Sequence, residues 1–81
     1  MLKIKNIDFS STCFRKIRLK VLSGFTNQVI EIEQRVVFHS GSIEENCIDR
    51  ICSKLEDWTI KNSPSERESV ANIREELKSM R

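Results

Sequence analysis

Two runs of alternating apolar and charged residues, separated by five turn-forming ones, constrain this chain more than anything else in it. The ten residues from Cys13 to Leu22 set Ile17, Leu19 and Val21 against Lys16, Arg18 and Lys20. The twelve from Gln28 to His39 place Ile30, Ile32, Val36 and Phe38 in the same phase, and Ser23-Gly24-Phe25-Thr26-Asn27 lies between the runs. Side chains two apart on a strand share a face, so both arms are oily on one side, and together they read as a long antiparallel hairpin. A slip of one residue sets lysines against isoleucines on both faces and is excluded. Two registers remain open. One puts Leu19 opposite Ile30, with Arg18 facing Glu31 and Lys16 facing Glu33; the other, two residues away, pairs Lys20 with Glu31 and Arg18 with Glu33. Gly24 and Asn27 tolerate positive φ and suit the turn, which leaves Phe25 near its tip.

Upstream, Leu2-Lys3-Ile4-Lys5 alternates until Asn6, where Ile7 and Phe9 take over the apolar phase, as in a short strand with a bulge or an end near Asn6. Ser10-Ser11-Thr12 is too short for a crossover, so this strand pairs antiparallel with the first arm, giving the order 1-2-3. Matching Leu2 and Ile4 to Val21 and Leu19 brings Lys3 near Lys20 and Lys5 near Arg18, a crowding of like charges.

Downstream, Gly41 ends the strands, and Ser42-Ile43-Glu44-Glu45 has the form of a capping box. Ile43, Cys47, Ile48, Ile51, Leu55 and Trp58 then recur at helical spacing as one apolar stripe. Asn62-Ser63-Pro64-Ser65-Glu66 breaks that helix and opens another, with Ser63 as cap, Pro64 at the first helical position and Glu66 closing a second capping box, and Val70, Ile73, Leu77 and Met80 form its apolar side. The fold class expected is α+β: a three-stranded antiparallel β-meander followed by two antiparallel helices on one sheet face, in a single domain spanning residues 1–81.

Composition narrows the function classes. The chain is 38% hydrophobic and 32% charged, as globular domains are, and it has no apolar run of the length (~20 residues) that a membrane span needs. Three cysteines without a C-x-x-C pair fit reduced thiols and a cytoplasmic setting. Neither an enzyme nor a cofactor or metal requirement is expected. His39 has no evident catalytic partner, a zinc site from Cys13, His39, Cys47 and Cys52 would need thiols that diverge on one helix, and Glu44-Glu45, Glu56-Asp57 and Glu75-Glu76 are sequence neighbours whose carboxylates point apart.

Binding remains. Net charge is +2, but residues 1–20 hold six basic side chains against Asp8 alone. Lys3, Lys5, Lys16, Arg18 and Lys20, with Phe14 on the same face, would make a basic plane for nucleic acid. One phenylalanine is a thin stacking platform, and Glu31 and Glu33 occupy the neighbouring strand. Protein binding is the leading reading, with Phe25 as an aromatic anchor and strand 28–39 as a proline-free edge open to a second chain, so that the protein is a monomer or an edge-to-edge homodimer.

Leu55-Glu56-Asp57-Trp58 late in the first helix, Pro64 in the connection, and Ile73, Glu76 and Leu77 in the second helix resemble the helical half of small phage-encoded anti-CRISPR inhibitors, in particular a type I-F inhibitor with an antiparallel sheet backed by two C-terminal helices. The resemblance implies a stoichiometric inhibitor that docks on a nucleic-acid-binding effector complex of the host. Because such effectors are basic along their nucleic-acid channel, it also implies that Glu44, Glu45, Asp49, Glu56 and Asp57 stand in for phosphates.

Overall fold

Alternation becomes a sheet whose inner face buries Leu2, Ile17, Leu19, Val21 and Ile32 and half-buries Ile4, Ile7 and Ile30. The computed structural model describes residues 1–9, 16–39 and 41–79. The expectations placed on Ser10-Ser11-Thr12, Cys13, Phe14, Met80 and the side chain of His39 lie outside the described residues. Strands β1 (Leu2–Phe9), β2 (Lys16–Ser23) and β3 (Val29–Arg35) form an antiparallel sheet in the order β1-β2-β3. Two short strands follow, β4 (Phe38–His39) and β5 (Ser42–Ile43), then helix α1 (Glu45–Asn62), a 3₁₀ segment (Pro64–Ser69) and helix α2 (Val70–Ser79).

The architecture is the α+β meander and two-helix arrangement that the periodicities predict. Leu2, Ile17, Leu19, Val21 and Ile32 on one sheet face meet Ile48, Ile51, Leu55, Val70, Ile73 and Leu77 from the helices, all buried in one cluster. Helix α1 lies over β3 and α2 over β1. Glu45 reaches Lys78, and Asp49 reaches Arg74, so the start of one helix sits beside the end of the other and the pair is antiparallel.

The structure decides between the two open registers and corrects several local expectations. The hairpin adopts the register two residues away from the Leu19–Ile30 pairing: Leu19 faces Ile32, Val21 faces Ile30, Lys20 faces Glu31 and Arg18 faces Glu33. A turn closed by Ser23 N–H on the Gln28 carbonyl at 2.9 Å, and by Asn27 N–H on the Ser23 carbonyl at 2.8 Å, sets that register. The bulge falls between Ile4 and Asn6, where three residues of β1 run against two of β2, so that Ile4 meets Val21 and Ile7 meets Leu19. Leu2 consequently faces Ser23 and not Val21. Lys3 then lies opposite Leu22, and Asp8 lies opposite Arg18, so the like-charge crowding of Lys3 with Lys20 and Lys5 with Arg18 does not form.

The edge strand is shorter than residues 28–39. It stops at Arg35; Phe38 and His39 instead pair with Ile43 and Ser42, and Glu44 N–H donates to the Val37 carbonyl at 2.8 Å. That pairing also removes the first capping box, because Ser42 belongs to β5 and Glu44 precedes α1 without a side-chain cap. The turn that folds β5 back needs Gly41, whose φ is +83°. Nothing lies within 4 Å of where its Cβ would be, so the cost of a side chain there is backbone strain alone. Gly41→Ala is expected to lower stability by about 1–2 kcal/mol, read as a shift of the urea midpoint without a change in slope.

Candidate functional site

The hairpin turn projects an aromatic side chain over the start of the second helical layer. Ser23, wholly buried, organises it: Thr26 donates to Ser23 Oγ from its backbone N–H at 3.2 Å and from its hydroxyl at 2.9 Å. Asn27 supplies the positive φ, 59°. Gly24 does not; it is needed for a close approach, since its N–H donates to the Met1 carbonyl at 3.1 Å and a Cβ would lie 3.1 and 3.2 Å from the backbone O and N of Met1. With the turn closed on one side and β1 against the other, Phe25 points outward and is 74% exposed, with Met1 also exposed beside it.

Beneath this tip lies a carboxylate that sequence reasoning treats only as half of a capping box. Glu66 is 4% exposed. Its Oε1 accepts from Ser63 Oγ at 2.8 Å and from Ser23 Oγ in a still shorter contact, while Oε2 has the Met1 α-ammonium at 2.8 Å and no hydrogen bond to any other described group. Burial would raise the Glu66 carboxyl, but the hydrogen bonds from the ammonium, Ser23 and Ser63 outweigh it and hold the group at about 2. Ser69 extends the lattice, donating to the Glu66 carbonyl at 2.6 Å and accepting from Leu2 N–H at 3.0 Å. Strand ends and 3₁₀ segment are thus stapled through polar groups. Above them, Met1, Phe25, Ser65, Glu68 and Asn72 line a shallow depression of about 440 Å³.

The basic plane expected on the outer sheet face is neutralised in part, at Lys16 and Arg18. Lys16 Nζ is 3.3 Å from Glu33, and Arg18 is 3.6 Å from Glu31 and 3.3 Å from Glu33. Hydrogen bonds from Lys16 and Arg18 hold the Glu33 carboxyl below the usual carboxylate range. Lys20 sits between Asn6 and Glu31 across the strands, Lys3 neighbours Leu22, and Lys5 lies at the bulge. Phe14 is outside the described residues.

Nor do the five acidic candidates gather at one point. Glu44, Glu45 and Asp49 stand at the start of α1, where Glu45 is 4.0 Å from Lys78 and Asp49 is paired with Arg74. Glu56 and Asp57 lie about two to three turns further along, roughly 10–18 Å at 1.5 Å per residue. Glu56 lines a second depression with Arg67, Glu68 and Arg74.

Cys47 and Cys52 are free and buried in the core, and burial pushes the Cys52 thiol up, which keeps it protonated and a poor nucleophile. Among the described residues, no three His, Cys, Asp or Glu side chains are grouped to hold a metal ion, and no helix is long and apolar enough to cross a membrane.

The place of Phe25 at the hairpin turn was legible in the sequence; its neighbours Met1 and Glu68 and the support of the turn by Ser23 and Glu66 were not. These residues are far apart in the chain, and a serine before a turn or a glutamate three after Ser63 carries no mark of burial. Comparison with known proteins returns no match: no family model, no curated protein and no solved structure is significantly similar to this chain. No residue role is therefore carried to it from a relative.

Proposed function

We propose that the chain is a non-enzymatic protein-binding domain that engages its partner through the hairpin tip. The observation that carries this reading is the 74% exposure of Phe25 on a turn fixed from below by Ser23 and Glu66. A large aromatic held in a rigid frame loses little side-chain freedom on binding, which is what makes such residues anchors. The order of elements and the helical echo noted above make a type I-F CRISPR effector complex the first partner to test, with the protein as its stoichiometric inhibitor. The basic sheet face supports the alternative, nucleic-acid binding, less well, because Lys16 and Arg18 already have carboxylate partners.

Titrating the protein into an effector preparation is expected to abolish target binding at near one-to-one ratio. Phe25→Ala, folded by circular dichroism, is expected to weaken the partner complex by about thirtyfold, in the range of a hot-spot anchor. Lys16→Glu/Arg18→Glu should leave that affinity nearly unchanged. If a generic oligonucleotide binds instead, with affinity falling steeply as salt rises and lost in the double variant, the nucleic-acid reading replaces this one.

A further inference from the structure

We infer that the hairpin-tip depression takes a linear segment in which a large apolar side chain is followed or preceded closely by Lys or Arg. This deepens the protein-binding reading and rests on it. The apolar half of the match is Phe25 with Met1, 74% and 62% exposed, two adjoining side chains with room above them.

The cationic half comes from the balance of charge around them. Glu68 is exposed at the rim, and the Glu66 carboxylate below is offset by the Met1 ammonium. No Lys or Arg side chain lines the depression; the remaining lining is hydroxyl and amide from Ser65, Ser69 and Asn72. The net local charge is therefore negative. Across Glu68 the neighbouring depression, lined by Glu56, Arg67, Glu68 and Arg74, holds two charges of each sign and has no net charge. A partner cation is therefore attracted to the net negative Phe25 side of Glu68 more than to the balanced side beyond it. Ser65 and Asn72 supply hydrogen-bonding groups to a main chain laid across the rim.

The experiment is selection of a random 12-residue peptide library displayed on phage against the immobilised full chain, run in parallel on Phe25→Ala and Glu68→Lys. The expected result is enrichment of sequences with Lys or Arg within two positions of a Leu, Met, Phe or Trp. Synthetic versions should bind about tenfold more weakly to Glu68→Lys. Enriched peptides that lose binding to Phe25→Ala but carry no basic preference, or bind Glu68→Lys equally, overturn this inference and leave the anchor standing. Enriched peptides indifferent to Phe25→Ala overturn the anchor as well. A library yielding nothing above the Phe25→Ala background also overturns the inference, which requires a linear segment. Association of the chain with itself, seen as a doubled mass that Phe25→Ala reverses, would show that the tip is covered by a second copy instead.

Discussion

Glu66→Gln is expected to destabilise the protein by about 3 kcal/mol at pH 7 and by little at pH 2. A carboxyl held at about 2 against its ordinary value of 4.5 binds its proton less readily folded than unfolded. Its contribution is therefore present in full above about pH 4.5, and it is lost as pH falls through about 2, where the folded carboxyl also becomes protonated. Glutamine keeps the shape and can still accept from Ser23 and Ser63, but it removes the charge facing the Met1 ammonium. Urea unfolding of both proteins from pH 7 to pH 2 measures the effect: the wild-type midpoint should decline through that window and converge on the variant's. Parallel curves at all pH values would mean that the lattice under the hairpin tip does not carry this energy. Because Ser23 is its other end, the same variant should raise hydrogen exchange at Gly24–Asn27 more than in the helices.

Leu55→Ala is expected to cost about 3–4 kcal/mol. Leu55 is wholly buried in the middle of α1 and belongs to the cluster joining both helices to the sheet. Alanine is the best helix former, so the substitution leaves the helix intrinsically as good as before, and the loss reports the cavity. For a domain of 81 residues, whose total stability is of order 4–12 kcal/mol, this is a large share. Ile60, on the same helix but 54% exposed, supplies the control: Ile60→Ala should stay within about 0.5 kcal/mol. Denaturant melts of the two variants side by side would refute the placement of α1 if the losses were equal.

Both predictions bear on the proposed binding, since the tip is held by the Glu66 lattice and the lattice by the packed helical layer. An aromatic on a loosened turn would give back in ordering entropy part of what its burial contributes. The outer sheet face adds little to either. Its ion pairs are about half exposed, so they contribute little to stability, and they engage Lys16 and Arg18 but not Lys3, Lys5 or Lys20.

How far the chain can be read without its structure differs from element to element. The inward positions Ile17, Leu19, Val21 and Ile32, and the stripe Ile48, Ile51, Leu55 with Ile73 and Leu77, follow from periods of two and of 3.6, which are properties of the backbone and hence local. A period of two is blind to a slip of two, so the pairing of Arg18 with Glu33 was decided by the turn at Ser23–Gln28, whose hydrogen bonds depend on how β1 and the 3₁₀ segment close around it. Ser42 and Ser63 occupy the same motif, yet neither caps a helix through its side chain: backbone pairing with His39 claims Ser42, and Ser63 precedes a 3₁₀ segment with its hydroxyl turned to the Glu66 carboxylate. The burial of Glu66 depends on three partners brought from residues 1, 23 and 63. Face and element type are thus short-range consequences of covalent geometry. Register, strand ends and the polar staple beneath Phe25 arise only where distant segments compete for the same hydrogen-bonding groups.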